Sequence, residues 1–308
     1  MSVLSKEDRA FWEENGYVII HDAVPPENIK AAEDAVWDFM EMRPDDRESW
    51  YPNPPRRGIM AEMFQHQALW DNRQYPRVYQ AFAEIWETEQ LWVTIDRASM
   101  SPPDRTLSKD GASKLALPLH WDCALEQPIP YFVQGVLYLT DTEAKRGAFT
   151  CVPGFHHKIE TWLENLPADA DPRKQDLKSL GIIPVPGKAG DLIIWHSSLP
   201  HGAGRNTAKY PRVVQYISMY PAKEKEEDSR KHRIKAWRNC LAGNANEGTD
   251  GKWNLREEKE HAVGQTAKLS PLGRKLLGLD RWGSAKARQK VKKLKMGEKP
   301  LNSEPNED

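Results

Sequence analysis

The chain has 308 residues, of which 39 % are hydrophobic and 29 % are charged, enough for a sizeable core in one large domain or two small ones. Its net charge of −1 provides no overall positive field that would favour nucleic-acid binding. No apolar run reaches the roughly 18 residues of a membrane span. The first twenty residues lack a secretory signal pattern and the three cysteines are widely spaced, so we expect a cytoplasmic protein without disulfides.

The first hundred residues predict helices that alternate with strands. Residues 6–15 predict a helix and Tyr17–Ile20 a strand, and the proline-led stretch PPENIKAAEDAVWDFMEM repeats apolar residues at helical spacing. Residues 44–60 predict a loop, and YPRVYQAFAEIW predicts a third helix. LWVTIDRASM, residues 91–100, predicts one strand, and a polar loop follows over 104–114.

Strand-like segments dominate the middle of the chain. They are separated by turn signals and cover 115–123, 131–140, 147–152, 182–185, 191–196 and 211–220, with a helical pattern at the start of 158–180. Many short strands with helices ahead of them predict a mainly β protein with flanking helices, of the α+β class. The expected arrangement is two antiparallel sheets with helical buttresses, as in a jelly roll.

The composition changes after Tyr220. The stretch AKEKEEDSRKHRIKAW predicts a charged helix, LSPLGRKLLGLDRW a short leucine-bearing helix, and SAKARQKVKKLKMGEK a basic surface stretch. We therefore predict a core domain with its N-terminal helices over 1–221, a helical extension over 222–296 that packs on or near the core, and a disordered tail over 297–308.

His120 and Asp122 are the first candidate metal ligands. They stand one residue apart in LPLHWDCALEQ, and residues i and i+2 on a strand share a face. The two side chains could form a structural hydrogen-bonded pair, or they could chelate one metal ion. Because this spacing is common by chance, the metal interpretation needs a third ligand elsewhere in the chain.

Four histidines are serious candidates for that ligand: His156, His157, His196 and His201. We favour His201, which small residues flank in LPHGAG, over His196, whose apolar neighbours suit a half-buried histidine. Two histidines and one carboxylate on one face of an octahedron leave the opposite face open, which is the facial triad of non-haem Fe(II) oxygenases. A structural zinc site would instead be closed by a fourth protein ligand.

Arg212 is the candidate anchor for a cosubstrate. It lies eleven residues after His201, on a strand that would return beside the metal. A guanidinium binds a carboxylate through two parallel hydrogen bonds. If the cosubstrate is 2-oxoglutarate, its oxo-acid end would chelate iron, and its distal carboxylate would need a buried cation such as Arg212.

Four motifs together resemble the phytanoyl-CoA dioxygenase family: HWD, GAFTCVPGFHH, GDLIIWHSSLPHGAGRNTAKYPR and the opening ENGYVIIHDAVPPENI. The resemblance covers roughly residues 10–221. It implies a double-stranded β-helix that uses Fe(II), 2-oxoglutarate and O₂, with His120, Asp122 and His201 as the iron ligands and catalytic centre and Arg212 as the 2-oxoglutarate anchor. Phe155 and Ala203 depart from the family pattern, where serines occur, so another group must replace the second serine in holding 2-oxoglutarate.

The resemblance also implies the reaction. Succinate and CO₂ are released while an unactivated C–H bond of a small molecule is oxidised. Relatives that halogenate lack the carboxylate at the position of Asp122, so hydroxylation, or desaturation or ring chemistry after the same hydrogen abstraction, is expected here. The substrate itself is not readable from the sequence.

Further cavity residues are predicted from strand alternation. Gln134, Val136 and Tyr138 share one strand face, and we expect Gln134 and Tyr138 to contact the cosubstrate or the substrate, or else to make hydrogen bonds in the core. Arg97 is either a substrate contact or half of an ion pair, and Arg105 is a second candidate substrate contact. These arginines would suit an anionic or zwitterionic molecule.

Two alternatives come from another class of protein. A β-helix of this type could bind metal without oxygenase activity, as a sensor or interaction module. A binding protein could instead act through the basic stretch 284–295. The intact triad and Arg212 favour the enzyme over both.

Overall fold

The structure, a computed structural model, describes residues 2–51, 59–105, 117–242 and 260–283. Two antiparallel sheets face each other in it, and a shared core cluster contains residues of both, among them Val136 and Val214 on one side and Phe149 and Val185 on the other. This is the predicted α+β fold with a jelly-roll, double-stranded β-helix core. The active-site cavity described below lies between the sheets.

The larger sheet has six strands. In spatial order they are β1 (Tyr17–Ile20), β9 (Leu192–His196), β6 (Val133–Tyr138), β11 (Arg212–Tyr216), β4 (Ala98–Ser101) and β2 (Met60–Ala61). The central strands β9, β6 and β11 are mostly buried, because helices cover their outer face and the second sheet covers their inner face. Side chains at alternate positions therefore point either into the cavity or into the helical layer.

The smaller sheet carries most of the candidate ligands. Its order is β5 (Leu117–His120), β10 (His201–Ala203), β7 (Phe149–Cys151) and β8 (Ile183–Val185). In this sheet His201 of β10 stands opposite His120 of β5 and Cys151 of β7. A two-stranded ribbon of β3 (Leu91–Val93) and β12 (Met219–Pro221) completes the described sheets.

The helices form where the sequence provides caps and an apolar face. Helix α1 (Lys6–Asn15) begins with a capping box of Ser5 and Asp8 and ends at Gly16, which has a positive φ of 73°. Helix α2 (Pro26–Met40) starts on a proline and buries its alanine-rich face. The others are α3 (Gln67–Arg73), α4 (Pro76–Ile85), α5 (Ile159–Glu164), α6 (Glu227–Arg238) and α7 (Pro271–Leu277).

Three local predictions are corrected by the structure. The single strand predicted over 91–100 is two strands, β3 and β4, which belong to different sheets. Strand β10 lies in a segment that was predicted as a turn, and helix α3 was not predicted. The strands are short and their hydrogen bonds come from distant partners, so the local pattern does not reveal them. Helix α3 has only seven residues, which is too short for a clear helical repeat.

The extension after residue 221 contacts the N-terminal helices and the ribbon. Arg233 of α6 donates hydrogen bonds to the carbonyls of Val93 and Leu277, and Trp282 stacks on Tyr79 with ring centroids 5.7 Å apart. The predicted domain boundary near residue 221 stays a prediction. The predictions for 284–295 and 297–308, and most of that for 104–114, lie outside the described residues. No helix in the described part of the chain has the length and apolar character that a membrane span requires.

Candidate active site

The three predicted ligands meet at one end of the cavity. The candidate ligand atoms of His120, Asp122 and His201 all lie within 4.8 Å of one another. The Nε2 atom of His120 is 3.5 Å from Oδ1 of Asp122, and Nε2 of His201 is 3.4 Å from Oδ2. Such spacing lets all three groups bind one metal ion. Among the described residues, no other histidine, cysteine or carboxylate completes a comparable group of three or more.

Hydrogen bonds to the backbone orient both imidazoles. Nδ1 of His120 lies 2.9 Å from the carbonyl oxygen of Pro118, and Nδ1 of His201 lies 3.0 Å from that of Leu199. Because a carbonyl oxygen only accepts, each Nδ1 carries the proton and donates it. The Nε2 atom of each ring therefore faces Asp122, and once it is deprotonated it presents the lone pair that a metal ligand requires.

Asp122 lies on the bend after β5 rather than on the predicted regular strand. Its Oδ2 accepts a 2.6 Å hydrogen bond from Nε2 of Gln134. The hydrogen bond from His120 is the main cause that holds the pKa of the Asp122 carboxyl well below its usual range, and His201 and Gln134 add to it. The same contact raises the pKa of His120. The carboxylate is therefore ionised and held by three side chains.

Gly202 brings the two histidine strands together. A Cβ atom at this position would lie 2.3 Å from the carbonyl oxygen of Leu117 and 2.9 Å from that of Pro118. Any larger residue would push β5 away from β10 and separate His120 from His201. The small residue after His201 therefore has a packing role between the two strands.

Aromatic rings enclose His201 on the cavity side. Its side chain is buried, with ring centroids 5.0 Å from Trp195 and 6.1 Å from Phe149. Trp121, which follows His120, is buried and donates from its indole Nε1 to the carbonyl of Ser198. The indole Nε1 of Trp195 is buried without a hydrogen-bond partner, so the cavity wall holds one unpaired donor next to His201.

The cavity has a volume of about 270 Å³ and extends from the triad to Arg212. The Arg212 side chain is buried, its Nη1 donates 2.6 Å to the carbonyl of Gly147, and its Nε has no hydrogen-bond partner. An unpaired donor of a buried guanidinium is costly unless an acceptor binds it. The deep end of the cavity therefore suits a carboxylate.

The remaining predicted residues divide between the cavity and other places. Gln134 and Arg97 line the cavity, and Arg97 also lies 3.8 Å from a carboxylate oxygen of Glu62. Tyr138 is not among the described residues that line it. Its hydroxyl donates to the carbonyl of Val185 and accepts from the amide of Phe149, and burial raises its pKa to about 12. The core hydrogen-bonding alternative therefore describes Tyr138 in this structure.

Arg105 lies away from the cavity lining. Its guanidinium binds Glu48 at 2.9 Å and covers the ring of Tyr51 at 3.8 Å from the centroid. The structure therefore does not bring Arg105 together with the triad, and the predicted substrate contact has no support among the described contacts.

His196, the rival ligand, lies outside the triad. Its Nδ1 accepts a hydrogen bond from the amide of Ser198, and its ring lies 5.2 Å from that of His156 and 4.8 Å from that of Tyr131. Burial, with the nearby His156 and His157, lowers the pKa of His196 to about 4. The half-buried, hydrogen-bonded histidine that the strand pattern suggested is what the structure contains.

Asp96 is a cavity residue that the sequence did not single out. It lies in the break between β3 and β4, lines the cavity beside Arg97, and its Oδ1 accepts from the Arg97 amide at 2.7 Å. Burial raises the pKa of its carboxyl, and the charge of Asp122 adds to this effect. The sequence signal that could have indicated Asp96 is the adjacent charged pair in LWVTIDRASM. A continuous strand would have placed Asp96 and Arg97 on opposite faces, whereas in the structure both residues line the cavity.

The fold and the site define the class of protein: a non-haem oxygenase that uses Fe(II), 2-oxoglutarate and O₂. The model of the family described as Phytanoyl-CoA dioxygenase (PhyH) matches residues 12–214, which is well over half of the chain. The protein belongs to the phytanoyl-CoA dioxygenase family and is an oxidoreductase. The prediction of an enzyme is confirmed, and the sensor without oxygenase activity is disfavoured.

One curated protein and two solved structures are among those similar to this chain. A Dictyostelium discoideum protein named "Putative phytanoyl-CoA dioxygenase" is 21 % identical over 275 residues, covering 72 % of this chain and 77 % of that protein. The structure is similar to GIG2 (DUF1479) of Candida albicans, with a TM-score of 0.64, 15 % identity and coverage of 94 % of this chain and 82 % of that one. It is also similar to the epimerase SnoN in complex with Fe3+, alpha ketoglutarate and nogalamycin RO, with a TM-score of 0.51, 17 % identity and coverage of 70 % and 83 %. At 15 % and 17 % identity, these two structures show that the fold is shared and nothing more.

Proposed function

We propose that this enzyme hydroxylates an unactivated C–H bond of a small organic molecule, with release of succinate and CO₂. One observation carries the proposal: a triad of His120, Asp122 and His201 faces a cavity that ends at a buried arginine with an unpaired donor. The first feature suits an iron ion with an open face, and the second suits the distal carboxylate of a 2-oxo acid.

The donor set fits ferrous iron. His120 and His201 offer neutral Nε2 atoms and Asp122 offers a carboxylate oxygen, which is the 2-His-1-carboxylate set. Bound iron, with 2-oxoglutarate and O₂, supplies the oxidising power for hydrogen abstraction. The chain supplies geometry: the carbonyls behind each Nδ1 fix the rings, and Gln134 restrains one oxygen of Asp122. Since Asp122 occupies a ligand position, no place on this face is left for a halide, which favours hydroxylation.

Two donors are proposed to hold 2-oxoglutarate. Arg212 binds the distal carboxylate, for which its orphaned Nε and low exposure suit it. Trp195 takes over the task that a serine at position 203 performs in relatives, because its unpaired Nε1 is buried on the same wall. Phe149 and Val136 line the space between the triad and Arg212, where they exclude water from the carbon chain of the cosubstrate.

An anaerobic titration tests this proposal. The protein with Fe(II) and 2-oxoglutarate should develop the visible charge-transfer absorption of an iron-bound 2-oxo acid. Arg212→Leu should weaken 2-oxoglutarate binding by roughly 10- to 100-fold, because charge-assisted hydrogen bonds are lost, whereas Asp122→Ala should chiefly weaken iron binding. Arg77→Leu, a surface arginine that binds the carbonyl of His21, is the control. Absence of the absorption in the wild-type protein would overturn the proposal.

Substrate class and compartment are finer parts of the same proposal. Arg97 on the cavity wall favours a substrate with an anionic or zwitterionic group. The three cysteines are all free and buried, which favours a reducing compartment such as the cytoplasm. Succinate release under air, measured across a set of small carboxylates and amino acids, would identify compounds that couple to the reaction.

A further inference from the structure

Gln134 has one bonded end and one unpaired end. Its amide nitrogen must face Asp122, because a carboxylate can only accept a hydrogen bond, and this determines which end of the amide is which. Its oxygen, Oε1, is then buried without a hydrogen-bond partner among the residues that the structure describes. Burying an acceptor in this state is unfavourable, so the position suits a ligand that donates a hydrogen bond next to Asp122.

Asp96 offers a second acceptor on the same cavity. Its Oδ1 accepts from the Arg97 amide, and Oδ2 has no hydrogen-bond partner among the described residues. The Arg73 guanidinium, which is fully buried, is bonded to the backbone carbonyl of Asp96 rather than to its carboxylate. One carboxylate oxygen therefore remains for a ligand that donates a hydrogen bond. The charges of Arg97 and Arg73 favour the ionised form, although burial is the larger effect and raises the pKa of the carboxyl.

These acceptors lie away from Arg212, near the other end of β11. The amide of Tyr216 donates to the carbonyl of Arg97, at one end of β11, and Arg212 stands at the other end. Four residues of extended strand separate the ends by about 13 Å. On β6, Val136 lies opposite Tyr216 of β11. Gln134 lies two residues before Val136 on the same strand face, opposite Trp195 of β9. Asp96 and Gln134 thus belong to the half of the cavity that the cosubstrate leaves free.

We propose that the substrate carries an ammonium group, which donates hydrogen bonds to the Asp96 carboxylate and to Oε1 of Gln134. This inference rests on the proposed oxygenase function and names the substrate class: a primary or secondary amine, or a zwitterion whose anionic end faces Arg97. An ammonium group carries a positive charge and more than one donor, so it can serve both acceptors, whereas a neutral hydroxyl has one proton and can serve only one of them. Asp96 recognises the substrate. Gln134 has two roles, because its Oε1 contacts the substrate while its Nε2 orients Asp122.

The test compares compounds that differ only in this group. Hexylamine and hexan-1-ol, and likewise butylamine and butan-1-ol, are titrated into the anaerobic protein loaded with Fe(II) and 2-oxoglutarate, and binding is measured from the perturbation of the charge-transfer absorption. Calorimetry with the metal-free protein provides a second readout. The wild-type protein should bind each amine at least roughly 10-fold more tightly than its alcohol, the size expected of a charge-assisted hydrogen bond.

Asp96→Asn should lose this preference, so that amine and alcohol bind within about two-fold of each other. Asp34→Asn, which removes a surface carboxylate on α2 paired with Lys30, should keep it. The charge-transfer absorption of Asp96→Asn reports whether its iron site is formed, and if that variant does not fold, the wild-type comparison decides alone. Equal binding of amine and alcohol by the wild type, no binding of either, or a preference that survives in Asp96→Asn would contradict the inference. Loss of the absorption in the wild type would instead count against the oxygenase proposal.

Discussion

At the scale of single residues, Gln134 has the clearest effect on the triad. Its Nε2 is the donor that holds Oδ2 of Asp122 at 2.6 Å, so the carboxylate has one oxygen restrained and the other free for a metal. Partners that orient a ligand typically contribute 10- to 100-fold to metal affinity. We expect Gln134→Met, which keeps the length and removes the donor, to weaken Fe(II) binding by about that factor, as measured by competition with a chelating indicator.

The control for this variant is Gln127→Leu. Gln127 is exposed, and its contact with Glu164 is long, at 3.5 Å, so its removal should leave metal affinity unchanged. Wild-type Fe(II) affinity in Gln134→Met would show that the Asp122 carboxylate is oriented by the two imidazoles alone.

His196 gives the protein a predictable response to acid. Its folded pKa is about 4, below the value near 6.5 of an unperturbed histidine, so the unfolded chain binds more protons between these values. Stability from this group is complete above pH 6.5 and is lost as the pH falls towards 4, with a slope of up to about 1.4 kcal/mol per pH unit. His196→Asn keeps an acceptor for the Ser198 amide but does not titrate, and it should flatten this part of the curve.

Chemical unfolding measured from pH 8 to pH 4 checks this prediction. Above pH 7 the stability difference between His196→Asn and the wild type should not depend on pH, because His196 is neutral in both states. Parallel curves down to pH 4 would show that the ring charges at little cost in the folded protein.

At the scale of elements, the contact between β5 and β10 assembles the site. Gly202→Ala would place a Cβ atom 2.3 Å from a backbone oxygen of β5, which cannot move without displacing His120. We expect a loss of metal binding together with destabilisation of about 2 kcal/mol or more, as overpacking usually causes 1–3 kcal/mol. Metal titration and thermal unfolding measure the two effects.

Gly204→Ala is the matched control for that variant. Its Cβ atom would meet its nearest neighbour, the carbonyl oxygen of Ala148, at 3.5 Å, which is an ordinary contact. The substitution should therefore keep both metal binding and stability close to wild type. Similar losses in the two variants would mean that the loop after His201, and not the contact between the strands, controls the triad.

Elements with a strong local signal were predictable from the sequence. Helices α1, α2 and α4 have caps or proline starts with apolar periodicity, and strands β1, β6 and β9 are apolar runs between turns. That His120, Asp122 and His201 lie together, with Arg212 on the same cavity, was also predictable, because their spacing along the chain matches a family pattern. Their roles as ligands and anchor stay predictions. In these places the local sequence and the tertiary structure favour the same conformation.

The parts that escaped prediction depend on contacts between distant residues. The strand over 91–100 breaks because β3 pairs with β12 while β4 pairs with β11 and β2, and no local property of the sequence separates the two. Asp96 enters the cavity only because of that break. Tyr138 shares its strand face with Gln134, yet its hydroxyl reaches Val185 and Phe149 of the smaller sheet, which alternation alone cannot distinguish from a cavity contact.

At the scale of the whole molecule, Arg233 joins the C-terminal extension to the core. It is buried and donates to the Val93 carbonyl of β3, to the carbonyls of Leu276 and Leu277 at the end of α7, and to the hydroxyl of Tyr220. None of these groups lines the cavity. Through Arg233 the extension therefore stabilises the ribbon and the end of α7, apart from the described residues that line the cavity.

This arrangement predicts different outcomes for the extension and for the basic stretch beyond it. Arg233→Met should lower the free energy of unfolding by about 3 kcal/mol, because several buried carbonyls lose a charged donor, with Fe(II) and 2-oxoglutarate affinities close to wild type below the new melting temperature. Removal of residues 284–308 should leave these affinities unchanged, since the described residues that line the cavity all lie between Met60 and Tyr216. Equilibrium unfolding and anaerobic titration of both proteins provide the measurements. A truncated chain that no longer binds 2-oxoglutarate would give the basic stretch a part in the oxygenase itself.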